Sequence, residues 1–190
     1  MTLLIKSAYR SDHHLWCVFR YAKYHGDIAL MRDIIDQATL LISRSIIDEI
    51  GDQRLIKLCP IPLRDHHIAV RGFSPQHLFA EGLAKVMRSD MRYQIDLQPK
   101  RDRPFYQVMV DHHMIKRDRL TKSQTGLTRD ERLSAQRDSL RVLSKTCTDE
   151  SMIILIDDVV TTGSTLREAE RALLKSSRAA WGACTLFSSL

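Results

Sequence analysis

Glycine is scarce in this chain, with seven in 190 residues, so the position of each one carries information. Long hydrophobic runs are missing. The longest, Leu15–Phe19 and Met152–Ile156, are five residues each, against about 20 for a membrane helix. That excludes a helical membrane span. Lys6 and Arg10 near the N-terminus have no apolar segment behind them of the kind a signal peptide requires. A cytoplasmic protein with no membrane partner is therefore expected. The four cysteines, Cys17, Cys59, Cys147 and Cys184, stand far apart and form no C-x-x-C pair. They read as reduced thiols, which excludes a zinc ribbon or a disulfide framework.

Most of the histidines occur as adjacent pairs, His13-His14, His66-His67 and His112-His113. Neighbours on a strand point to opposite faces, and no metal-ligand spacing links one pair to another. At 44% hydrophobic and 27% charged, the composition excludes wholesale disorder, and the length suits a single domain with a real core. Lys and Arg number 29 against 23 Asp and Glu, an excess that favours an anionic partner. Between Lys116 and Arg137 lie seven basic and three acidic residues with no aromatic side chain. A single-strand stacking platform is thereby disfavoured, and a solvated basic face is the plain reading.

Along the chain, residues 2–6 and 14–22 suggest a small hairpin. From Ile28 to Ile46 apolar residues recur at helical spacing, with Asp27 as the expected N-cap and Gly51 as the stop. Leu55–Ile61 reads as a strand, followed by a basic loop from Leu63 to Phe73. Ser74-Pro75 predicts a helix start. Residues 93–98 and 104–110 read as strands, His112 to Thr128 as a loop, and Arg129–Leu143 as an amphipathic helix. Met152–Ile156 has the all-apolar character of a central parallel strand. A helix from Ser164 to about Ser177 and a strand Trp181–Leu186 follow. This alternation of strands and helices predicts an α/β fold.

The chemistry is concentrated in Asp157-Asp158-Val-Val-Thr161-Thr162-Gly163-Ser164-Thr165, directly after the apolar strand. Free N–H groups at a helix start suit a phosphate, Gly163 permits close approach, and four hydroxyls add donors. Two acids would repel a phosphate alone. They make sense when the same ligand also offers hydroxyls, as a sugar phosphate does.

These residues resemble the type I phosphoribosyltransferases, whose signature for 5-phosphoribosyl 1-pyrophosphate is this strand, acid pair and loop. More narrowly, the chain is similar to the ComF/GntX branch. Tyr21-Ala-Lys23-Tyr24-His-Gly26 is similar to its K-Y-x-G segment. Pro60-Ile-Pro62-Leu63 with Arg71-Gly72-Phe73 resembles P-x-P-L and R-G-F-N-Q, and Arg119, Gln124, Leu127 and Arg132 follow its R-x4-Q-x2-L-x4-R spacing. The likeness runs from about Tyr21 to the C-terminus.

The resemblance implies a type I phosphoribosyltransferase domain over 1–190, with a mainly parallel sheet flanked by helices. Residues 1–26 would be a small N-terminal hood or hairpin, 27–190 the α/β core, and 91–112 an insertion joining the hood. Asp157 and Asp158 would hold the ribose hydroxyls. Thr161, Thr162, Gly163, Ser164 and Thr165 would cradle the 5′-phosphate, and Arg64 and Arg71 would face the pyrophosphate. Arg119 and Lys122 would belong to a catalytic lid. Mg²⁺ would be held mainly by ligand and water, with no direct protein ligand. The implied reaction is transfer of the phosphoribosyl group to an amine or base, releasing pyrophosphate; a homodimer would be in keeping with it. The alternative is a non-catalytic protein of DNA uptake and competence that keeps the ligand site and contacts DNA or DNA-processing proteins.

The chain departs from the family at several points. It has no zinc ribbon, Ser74-Pro75-Gln76 stands in place of Asn-Gln, and Ala135 stands where an asparagine follows the lid arginine. Thr161 occupies the position of the carboxylate base of 6-oxopurine salvage enzymes, which disfavours that substrate class.

Overall fold

The computed structural model describes residues 3–50, 55–63, 65–96, 107–117, 139–143 and 151–189. In chain order they form β1 (Leu4–Arg10), α1 (Leu15–His25), α2 (Ile28–Ile50), β2 (Leu55–Pro60), α3 (Asp65–Arg71) and α4 (Pro75–Asp96). Then come β3 (Gln107–Val110), β4 (Ile115–Arg117), β5 (Leu140–Val142), β6 (Met152–Val160), α5 (Ser164–Lys175) and β7 (Ala180–Ser188). Five strands make one sheet in the order β1-β7-β6-β2-β3, every neighbouring pair parallel. β4 and β5 form a separate antiparallel pair. The protein is α/β, a parallel sheet with helices on both faces.

β6 is apolar on both sides because both sides are covered. Ile154 and Ile156 join Ile56 and Leu58 of β2 under Ile34, Ile35, Ala38, Ile42 and Ile46 of α2 and Phe79, Leu83 and Met87 of α4. Ile153 and Leu155 face the other way, against Leu166, Ala169, Ala172 and Leu173 of α5, with Met114, Ile115 and Leu140 from the β4–β5 region. Each such side chain contributes about 1.5–3 kcal/mol by leaving water. An all-apolar strand could slide between two greasy layers without penalty. Here Asp157 and Asp158 pin the register, because a one-residue slip inward would push a carboxylate into the core.

Several local expectations hold. Asp27 Oδ1 accepts the Leu30 N–H at 3.0 Å as the α2 cap, and the Ser74 hydroxyl accepts the His77 N–H at 3.4 Å at the head of α4. The central strand, however, runs past Ile156 to Val160, so Asp157 and Asp158 lie within it rather than after it. β2 and β7 occupy the expected places. Gly51 lies outside the described residues.

Others are corrected. No N-terminal hairpin forms: Leu4–Arg10 joins the main sheet parallel to β7, pairing Ile5 with Ala183 and Tyr9 with Phe187. Residues 15–25 are helical, burying Phe19 and Ala22 on one side. A five-residue apolar run has no period of its own, and the packing partner decided its conformation. The basic loop 63–73 contains helix α3, which ends where the Gly72 N–H donates to the Ile68 carbonyl at 2.8 Å. Residues 93–96 continue α4 rather than start a strand, since extending a formed helix adds one bond per residue without a new nucleus. Residues 97, 98 and 104–106 lie outside the described set. Within the supposed loop 112–128, Ile115–Arg117 is a strand, and its partner Leu140–Val142 replaces the tail of the expected helix 129–143. Three-residue strands carry too little alternation to announce themselves. Of the segment 91–112, the described parts are the end of α4 and the edge strand β3. No helix among the described residues is long and apolar enough to cross a membrane.

Candidate functional site

β2 runs through α3 and α4 to β3 on one side, whereas β6 runs through α5 to β7 on the other. The chain therefore leaves the carboxyl ends of these two adjacent strands in opposite directions. A crevice opens at such a switch point, and open parallel sheets bind their ligands there. The residues after β2, from Ile61 to Leu63, and those after β6, from Thr161 to Gly163, border it.

The acid pair sits inside β6, buried, with 6% and 5% of Asp157 and Asp158 exposed. The two carboxyls have different partners, both reaching them from helices of the same layer. Asp158 meets α1: its Oδ2 is 2.5 Å from Lys23 Nζ, a charge contact rather than an aligned hydrogen bond. Asp157 Oδ1 accepts from the Gln76 side-chain amide at 3.1 Å and from the Asp158 backbone N–H at 2.8 Å. Ser74 Oγ donates to Gln76 Oε1 at 3.2 Å, orienting the amide. Burial, and next the neighbouring Asp158 charge, raise the Asp157 carboxyl from 3.8 to about 7. Gln76, the backbone N–H and Lys23 pull the other way. The Thr185 hydroxyl, in register with Asp157 on β7, is 2.6 Å from the Ser7 hydroxyl on β1.

Beyond β6 the chain turns sharply into α5. Gly163 holds φ +70° at the N-cap, and an added Cβ there would stand 3.0 Å from Arg167 Nη1. This left-handed position favours glycine. Gly163 has no side chain with which to cap α5; the Ser164 N–H at its first residue donates to Thr162 Oγ1 at 3.4 Å. Thr162 Oγ1 donates to Ser164 Oγ at 3.2 Å, and Arg167 Nη2 donates to the Thr162 carbonyl at 2.6 Å, bringing a guanidinium to the turn. A pocket of about 200 Å³, counted out to open solvent, is lined by Asp157, Val159, Val160, the turn and Leu166. Such a pocket has the hydrogen-bond donors and the dipole to take an anion, with a carboxyl group at its inner wall.

Asp157, Asp158 and Thr161 to Thr165 thus gather at one end of the central strand. Arg71 ends α3 with its guanidinium 5.8 Å from the Tyr24 ring of α1. Arg64, Arg119 and Lys122 lie outside the described residues. Gln76, Lys23 and Arg167 contact the site without having been assigned to it by sequence reasoning. For Gln76 a signal existed, its place just after Arg71-Gly72-Phe73. Lys23 stands in the Tyr21–Gly26 segment already singled out, though nothing there says that it reaches the acid pair; for Arg167 no local pattern distinguishes it from a surface cation. Among the described residues no three His, Cys, Asp or Glu side chains stand together as metal ligands.

Comparison with known proteins finds no matching family model and no matching curated protein.

Proposed function

We propose that the chain is a type I phosphoribosyltransferase of the ComF/GntX kind. On this reading it binds 5-phosphoribosyl 1-pyrophosphate and transfers the phosphoribosyl group to an amine or base. The observation that carries the reading is one juxtaposition. A buried acid pair on the central strand leads, through a left-handed glycine turn, into the N-terminus of a helix at the switch point of a parallel sheet. Hydroxyl-accepting and phosphate-accepting groups stand a few residues apart, the pattern a sugar phosphate requires.

In this reading the turn Thr161–Thr165 takes the 5′-phosphate, the acid pair takes the ribose hydroxyls, and Arg71 lies on the pyrophosphate side. The C1–oxygen bond to pyrophosphate breaks as the acceptor nitrogen bonds to C1, and the acceptor gives up its proton to water or to the departing pyrophosphate. The protein's part is to hold the sugar, stabilise the leaving anion and exclude water. Mg²⁺ would reach the site on the oxygens of pyrophosphate and ribose, with the acid pair as the nearest carboxylates, and would neutralise leaving-group charge.

Calorimetric titration with 5-phosphoribosyl 1-pyrophosphate and Mg²⁺ tests the reading. Binding is expected, with a loss of at least tenfold in Asp158→Asn, because a hydrogen bond to a charged acceptor is worth about 1.5–3 kcal/mol. No binding by the wild-type protein, or equal binding by the variant, would refute it.

A further inference from the structure

The acid pair is served by a residue that lies more than 130 positions earlier in the chain, on a helix outside the strand–turn–helix unit. Lys23 projects from α1, one turn beyond the buried Phe19, and its ammonium lies 5.3 Å from the Phe19 ring centroid. The lysine side chain is 15% exposed and that of Asp158 is 7% exposed. A lysine tethered in this way is not a passing surface cation. Holding it there costs hydration and rotamer freedom, which the contact with Asp158 must offset.

The charge count points the same way. Two carboxylates share the end of β6, and the single described cation in contact with them is Lys23. Its Nζ lies against Asp158 Oδ2. Among the described residues, Gln76 is a neutral side chain that hydrogen-bonds Asp157.

We propose that Lys23 is a positioning residue for the acid pair, anchoring Asp158 through Oδ2 from the α1 side so that its other oxygen and the Asp157 carboxyl are presented to the ligand. The proposal rests on the sugar-phosphate reading for the identity of that ligand, but the anchoring belongs to the ligand-free protein. It assigns α1 a role in the site. It also predicts a division of labour between the two acids, one charge-balanced by α1 and one hydrogen-bonded by α4.

The groups facing the Asp157 carboxyl are Asp158 on β6, Lys23 on α1 and Gln76 on α4, and Lys23 is among those that lower its proton affinity. Carbon-13 NMR of labelled aspartate carboxyls in the unliganded protein therefore reads the anchor directly. In Lys23→Met and Lys23→Gln the Asp157 titration moves to higher pH, while Lys23→Arg, which keeps the charge, leaves it near the wild-type position. Near-ultraviolet circular dichroism identifies which variants are folded. Two neutral variants are used so that misfolding of one does not end the test. In the second arm, affinity for 5-phosphoribosyl 1-pyrophosphate with Mg²⁺ falls at least tenfold in the neutral variants and is partly restored in Lys23→Arg. An unchanged Asp157 titration in a folded neutral variant overturns the proposal, as does an unchanged affinity where the wild type binds. If the wild type binds no ligand, the functional reading falls, and the titration arm alone still decides the role of Lys23.

Discussion

Replacing Asp157 by asparagine removes a proton-binding group from a place where water cannot solvate its charge. The carboxyl is raised from 3.8 to about 7 in the folded chain, so folding destabilises its ionised form. Below about pH 4 both folded and unfolded chains hold the proton, and Asp157 costs nothing. Between 4 and 7 the unfolded chain releases the proton while the folded chain keeps it, so stability falls as pH rises. Above 7 the full penalty is present. At about 1.4 kcal/mol per pH unit the ceiling is on the order of 4 kcal/mol, and sharing of charge with Asp158 and Lys23 brings the expected gain in Asp157→Asn to about 2–4 kcal/mol. Asparagine can keep both accepted hydrogen bonds through its carbonyl oxygen, so little is lost in exchange. For a chain of this size that is roughly 5–10 °C in Tm at pH 8, shrinking towards zero near pH 4. Paired thermal melts of wild type and variant from pH 4 to 8 provide the measurement, because titrating groups remote from the acid pair cancel in the difference. A difference that stays flat across this range, or grows towards acid, would refute the assignment of a destabilising proton equilibrium to this residue. The gain in stability should come with loss of ligand binding, the usual signature of a site held at the expense of the fold.

Gly163→Ala places a side chain at φ +70° with its Cβ 3.0 Å from Arg167 Nη1. It should lower stability by about 1 kcal/mol and abolish heat release on titration with ribose 5-phosphate; a normal titration would remove the turn from the site. Gly182→Ala would set a Cβ 2.9 Å from the Leu4 backbone carbonyl, prising β1 from β7. Amide exchange along Leu4–Arg10 should then accelerate by more than tenfold while β2 and β6 stay protected, and uniform exchange rates would show that β1 is held by something other than this contact.

The parts of the fold legible in the sequence were those set by local chemistry. Asp27 and Ser74 are capping residues whose side chains act within three positions of themselves, and both do so here. Met152–Ile156 is apolar enough to demand cover on both faces, and the turn at Gly163 needs only its own residues. The misread segments were those decided by distant partners. Leu15–Phe19 became a helix because Phe19 and Ala22 found the core beneath α2, and the three-residue strands β4 and β5 exist only as each other's partners. In the site the same division holds. The acid pair and its loop form a contiguous string, whereas Lys23 and Gln76 reach it from other helices. Nothing in Tyr21–Gly26 alone says that the lysine, rather than either tyrosine, turns inward.

The edge strand β1 has a consequence for how the molecule comes into being. Ser7 and Thr185 touch across 178 residues of sequence, and among the described strands β7 is the sole partner of β1 in the sheet. At a synthesis rate of 5–20 residues per second, the first strand waits roughly 10–35 s on the ribosome before its mate exists. Throughout that interval the apolar side of α1 has no Phe187 to close on, while α2, β2 and α4 can already collapse together. The earliest-made strand is therefore the one whose pairing depends on the last-made strand. A nascent chain stalled short of β7 could pair only β6, β2 and β3, with β1 left beside the sheet and not yet part of it.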